Sequence, residues 1–144
     1  MRITPVFTAA VAAATLVGTL APSAAATGSR GFANADGSVR CELTQFDSTH
    51  ETLCVSQRAR ESQPECNPPQ HLIPAIAIQD RFVGKKCWNQ GFGQEPERLQ
   101  PFQIRSYGQA TVIPGLSGTL YVLDIARLAL IQAGAQNQVL FGAR

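Results

Sequence analysis

Four cysteines, Cys41, Cys54, Cys66 and Cys87, set the strongest limit on what this chain of 144 residues can become. An even number of cysteines in a short chain reads as a disulfide framework, provided the chain matures in an oxidising compartment. The N-terminus points there. Met1-Arg2 supplies a short positive start, Val6 to Leu20 runs without a charge, Pro22 ends the run, and Ser23-Ala24-Ala25-Ala26 supplies small residues. That order is the n-region, h-region and A-x-A site of a secretory signal peptide, with cleavage expected after Ala26 or, as the alternative, Ala25. The apolar run is shorter than the roughly 20 residues of a membrane-spanning helix. No Arg-Arg pair precedes it and no Cys follows the cleavage site, so neither the twin-arginine route nor a lipid anchor is expected. The product is expected to be secreted and extracellular, with no membrane span after cleavage.

Three pairings of four cysteines are formally open. Cys41–Cys54 and Cys66–Cys87 are favoured. The first pair would bridge two neighbouring strand-like segments, and the second would tie down a Pro-rich loop. Metal binding is disfavoured, because no Cys-x-x-Cys occurs and His50 and His71 keep no ligand spacing to the cysteines. No metal and no cofactor is expected.

Beyond the signal, Thr27–Gly37 is small and polar and reads as a flexible N-terminal arm. Residues 38–144 then form one disulfide-stapled domain. Val39, Cys41 and Leu43 alternate with Arg40, Glu42 and Thr44, the period of a half-buried strand. Thr52–Ser56 is a second strand, making a hairpin-like pair with a disulfide across or beside it. Gln57–Gln70 carries Pro64, Pro68 and Pro69 and reads as a long loop. Leu72–Ile78 is broken by Pro74 and reads as an edge strand or extended segment. Asn89–Pro101 is another loop. Phe102–Tyr107 alternates, with Phe102 and Ile104 on one face, and Pro114-Gly115 is a turn. For Ile125–Ala133 the Ala and Leu content favours a short helix capped by Asp124 and closed by Gly134, with a strand over Arg127–Gln132 as the alternative. Gln138–Phe141 adds a terminal strand. Many short strands between Pro and Gly turns predict a mainly β fold, a small disulfide-stapled sandwich or barrel with at most one short C-terminal helix.

A formal charge of +2 and a charged fraction of only 15% exclude the clustered basic surface that nucleic acid requires. No catalytic constellation emerges. Asp47, Ser48 and His50 are too close in sequence to form a triad by local spacing. Glu95 and Glu97 share one loop rather than facing across a cleft. Gly91-Phe92-Gly93 lacks the Lys of a phosphate loop. A non-enzymatic role is therefore expected.

Two segments are candidates for binding. Trp88 either packs on a disulfide beside Cys87 or forms an exposed platform with Phe92 and the basic rim Lys85-Lys86. In the second case Asn89, Gln90 and Gln94 would add directional hydrogen bonds to a sugar ring or anionic polymer. The other segment is the stiff loop Asn67, Pro68, Pro69 and Gln70 after Cys66. That run resembles a piece of the Bowman–Birk inhibitor loop, and two sequential disulfides in a small secreted domain resemble the plan of the subtilisin-inhibitor family. The cysteine spacings differ from that family, and Pro68 falls where its specificity residue would be. The Ala-rich signal, the preference for Arg over Lys and Tyr107-Gly108-Gln109 ahead of a Pro-Gly turn resemble small secreted proteins of high-GC Gram-positive bacteria. The expectation is an extracellular or cell-envelope binding module whose partner is a cell-wall polymer or an extracellular protein. The alternative is an inhibitor of a secreted serine protease acting through Asn67–Gln70.

Overall fold

The computed structural model describes residues 28–142. The expected signal peptide lies outside them. Eleven strands run in order: β1 (Gly28–Asn34), β2 (Val39–Phe46), β3 (Thr49–Ser56), β4 (Ile73–Gln79), β5 (Phe82–Trp88), β6 (Glu97–Leu99), β7 (Arg105–Tyr107), β8 (Ala110–Pro114), β9 (Leu120–Asp124), β10 (Ala129–Ala133) and β11 (Gln138–Phe141). They form a six-stranded sheet in the order β5-β4-β3-β2-β1-β6 and a five-stranded sheet in the order β11-β10-β9-β8-β7. Neighbours are antiparallel except β6, which runs parallel to β1. The two sheets stack as a sandwich, and no barrel closes.

Alternation explains the core. Val39, Cys41 and Leu43 of β2 point inward with Phe32, Cys54, Ile76, Ile78 and Leu99 of the same sheet. They meet Ala110, Val112, Leu120, Val122, Ala129, Ile131 and Ala133 of the facing sheet. Period 2 is what one-sided burial demands of a strand. The Cys41–Cys54 disulfide lies within this core, across directly opposed residues of β2 and β3 with Cα atoms 4.0 Å apart. The second disulfide, Cys66–Cys87, ties the long 57–72 loop to β5. Both are the favoured pairings.

The loop itself begins with a single 3-10 turn, Gln57–Ala59, and is anchored through the interior. Gln63 is 1% exposed and accepts a 2.6 Å hydrogen bond from Asn137 Nδ2. Its own amide faces Ala75 O at 3.5 Å and Lys86 O at 3.4 Å. Ser56 Oγ donates to Gly134 O at 2.6 Å. These bonds join the loop and the six-stranded sheet to the β10–β11 turn. At the same end of the sandwich, Asn34 Nδ2 donates to Gly118 O at 2.8 Å while Asn34 Oδ1 accepts from Val39 N.

Four expectations need correction. Residues 28–34 are not a loose arm: β1 pairs with β2 on one side and β6 on the other, and Phe32, Ala33 and Asn34 are buried. Pro74 does not mark an edge strand, since β4 lies between β3 and β5. Pairing with β3 covers Thr52↔Ile78 to Val55↔Ala75 and stops just short of Pro74, so the missing N–H breaks no ladder bond there. The C-terminal segment 125–133 contains no helix. Ile125–Leu128 is a turn with Leu128 at φ 49°, and Ala129–Ala133 pairs with β9 and β11. Tertiary pairing on both sides overrides the helix propensity of Ala and Leu. Finally, Phe102 and Ile104 do not form a buried face; they are 66% and 53% exposed, with Phe102 at φ 64° in a turn before β7.

Candidate functional site

The strand order has a geometric consequence for Asn89–Pro96. β5 and β6 occupy opposite edges of the larger sheet, five inter-strand steps apart. At about 4.8 Å per step that is roughly 24 Å. The eight intervening residues can reach about 30 Å when fully extended. The segment is therefore a nearly taut strap, and it crosses the outer face of the sheet. Two contacts fix its course. The Arg40 guanidinium on β2 lies 5.6 Å from the Phe92 ring centre. A Cβ at Gly31 on β1 would lie 3.2 Å from Pro96 Cα, so glycine is what lets the strap settle flat there. Ala75 and Ala77 face outward on β4 yet are 0% exposed, so the outer face of β4 is covered as well as the inner. The Ala-Ile-Ala-Ile run of β4 thus places branched bulk in the core and leaves room outside.

Between strap and sheet lies a cleft of about 220 Å³ lined by Glu42, Thr44, Glu51, Leu53, Gln79, Trp88, Gln90, Gly91 and Phe92. Register explains why these residues meet. Glu42 pairs with Leu53 and Thr44 with Glu51, so the two carboxylates are diagonal neighbours on one face. Trp88 projects from the far end of β5, on the same face as Lys86, whose Nζ lies 5.5 Å from the indole centre. Cys87 points to the opposite face, so Trp88 does not pack on the disulfide through its chain neighbour. Three buried polar atoms belonging to this face have no hydrogen-bond partner: Trp88 Nε1, Glu42 Oε2 and Arg40 Nε. Trp88 and Glu42 line the cleft, so one donor and one acceptor left unpaired there are costly for the folded chain alone.

The structure brings together Trp88, Phe92 and Lys86 but not Lys85. Lys85 is exposed on the other face of β5, beside a different hollow of about 510 Å³ between the edges of β5 and β11, lined also by Val83, Asn137 and Val139. A third hollow, of about 330 Å³, lies at the Asn34–Gly118 end. Its polar groups are already engaged: Arg58 donates to Ser117 O at 2.5 Å, and Asp36 accepts from both the Ser38 hydroxyl and its N–H. Those bonds hold the Asp36 carboxyl below its ordinary range, the hydroxyl bond most of all. The strap cleft is smaller than either hollow, but Trp88 Nε1 and Glu42 Oε2 give it an unpaired buried donor and acceptor.

The second candidate segment has a different shape. Asn67–Gln70 is exposed, but its backbone doubles back: Pro68 O accepts from His71 N and Leu72 N, both at 3.0 Å. Arg60 pins it from below, donating to Pro69 O and Leu72 O at 3.0 Å each. An inhibitory loop must present an extended strand to its protease, and this one is curled. The cleft residues missed from sequence include Glu42, Glu51 and Gln79, each carried there by strand pairing.

Among the described residues, no three His, Cys, Asp or Glu side chains converge to hold a metal ion, and no helix is long and apolar enough to cross a membrane. Compared with protein-family models, curated proteins and solved structures, the chain matches none.

Proposed function

We propose that this is a secreted, non-enzymatic binding module that engages a cell-envelope polymer through the cleft beneath the strap. The observation that carries the reading is the union of two aromatic rings, Trp88 and Phe92, with two buried and unpaired polar atoms, Trp88 Nε1 and Glu42 Oε2, around one cavity. An aromatic wall offers a flat face to stack on, while the unpaired donor and acceptor give direction. The size fits one ring-sized unit of a polymer; drug-sized ligands take about 300–1,000 Å³. Export is supported by the signal-like N-terminus and by two disulfides, which persist in oxidising compartments.

The test is co-sedimentation of the oxidised protein with isolated Gram-positive cell wall across a salt series. Pelleting that survives salt and falls with Trp88→Ala is the expected result. Pelleting that vanishes with salt would mean electrostatic contact alone, and a protein that stays in the supernatant would refute the proposal.

A further inference from the structure

The charges around the cleft are arranged in an unusual way. Two cations and two carboxylates lie on the same sheet face, yet they do not pair. Lys86 sits over the Trp88 ring and Arg40 over the Phe92 ring. Among the described residues the ion pairs are Arg105–Glu97, Arg127–Asp80 and Arg127–Asp124, so neither Glu42 nor Glu51 has one. Diagonal like charges on neighbouring strands repel. The protein's own cations are held at the aromatic walls, and the carboxylates are left facing a cavity.

We infer that the cleft selects a ring bearing a free primary ammonium, that is, an amino sugar whose nitrogen is not acetylated. The inference rests on the binding-module reading. The sugar ring would stack along Trp88 and Phe92, and its ammonium would lie between Glu42 and Glu51. An ammonium brings three donors and one positive charge. It meets the acceptor need of Glu42 Oε2 and relieves the repulsion between the carboxylates, whereas a neutral acetamide does neither. Gln79 and Gln90 at the rim are left for the ring hydroxyls. Glu51 is exposed and Glu42 half-buried, and both line the cleft.

The chain has a single tryptophan, and it lines the cleft. Its emission therefore reports the site with no added label. The experiment titrates the oxidised protein, recovered from a secreting host, with glucosamine oligosaccharides and with their fully N-acetylated counterparts. The expected result is a saturable change in Trp88 emission with the free-amine series and a response at least about fivefold weaker with the acetylated series, the scale of one partly exposed ion pair. Glu51→Gln should remove that preference without altering the near-ultraviolet dichroism of the fold. Glu42→Gln should do the same, and because Glu51 is exposed its variant keeps the test valid should Glu42→Gln fail to fold. Equal responses to the two series, or an unchanged preference in Glu51→Gln, would overturn the ammonium inference while leaving the cleft as a sugar site. No emission change with either series overturns it too, and combined with failure to pellet on cell wall would remove the binding-module reading.

Discussion

Gln63 offers a direct test of how the long loop is held. Its side chain is 1% exposed and joins three parts of the fold: β4 through Ala75 O, β5 through Lys86 O, and the β10–β11 turn through Asn137. The bonds are unequal. The 2.6 Å bond from Asn137 Nδ2 is short, whereas those to Ala75 O and Lys86 O, at 3.5 and 3.4 Å, lie beyond the usual optimum. Gln63→Met keeps the length of the side chain and removes its polar atoms. Asn137 is 3% exposed, so its amide loses its acceptor without gaining water. A buried donor left unpaired costs about 1–3 kcal/mol. Gln63→Met should therefore cost about 2 kcal/mol, and Gln63→Ala about 1–2 kcal/mol more through the cavity it opens. For a domain of this size 2 kcal/mol corresponds to a fall in Tm of about 6–12 °C. Urea unfolding of Gln63→Met, Asn137→Ala and the double variant measures the coupling directly, given coincident transitions by fluorescence and dichroism. Partners in contact should be non-additive by about 1 kcal/mol or more. A Gln63→Met cost below about 0.5 kcal/mol, or additivity within that error, would refute the argument that this amide ties the two sheets together.

The disulfides should differ in reactivity. Cys41 and Cys54 are 1% and 0% exposed inside the core, whereas Cys87 is only half-buried at the edge, so mild reductant followed by alkylation and mass analysis should label Cys66 and Cys87 first. Removing either bridge should cost about 3 kcal/mol on the chain-entropy model, read from denaturant midpoints. Gly118→Ala should destabilise by about 1–2 kcal/mol: its φ of 75° lies in the left-handed region, and the Arg58 guanidinium that bonds Ser117 O would have to shift away from the new Cβ. Acid titration should expose Asp36. Its folded pKa is depressed, so its contribution is present above the ordinary carboxylate range and lost as pH falls through the lower folded value. Asp36→Asn should accordingly flatten the stability profile below about pH 4 and leave it parallel to that of the parent above.

The strand pattern was readable wherever one face is buried and the other wet. Val39–Leu43 shows the period, and the favoured pairing sets its Cys41 opposite Cys54 of the next strand. Reading failed where neighbours replace periodicity. β1 is rich in Gly and Ser and carries no apolar stripe, yet it is a central strand because β2 and β6 flank it and the strap approaches its outer face at Gly31. At Ala129–Ala133, Ala and Leu signal helix locally, while pairing with β9 and β11 decides otherwise. The site was half legible. Trp88, Phe92 and Lys86 stand out as aromatics with a basic neighbour, but grouping Lys85 with them ignored the alternation that sends it to the far side of β5. Glu42 and Glu51 carried a usable signal. Once Cys41 is set opposite Cys54, the register places Glu42 and Glu51 on one face, diagonal to each other.

Site and fold are coupled through the strap. Its course follows from a chain path that leaves one edge of the sheet and re-enters at the other, so neither end of the cleft is set by local sequence. One end is fixed by β5, where Cys87 is bridged to Cys66 and Lys86 O faces the Gln63 amide, immediately before Trp88. The other end is fixed by β6, three residues held parallel to β1 and linked to β7 through the 3.0 Å Glu97–Arg105 contact. That exposed pair contributes about 1 kcal/mol at most, so the β6 end is held chiefly by Leu99, 1% exposed in the core. Both ends of the strap are therefore set by groups that lie outside the cleft: Leu99 in the core at β6, and the Cys66–Cys87 bridge with the bonds around Gln63 at β5. The positions of Trp88 and Phe92 relative to Glu42 depend on those anchors as much as on the residues that line the cleft.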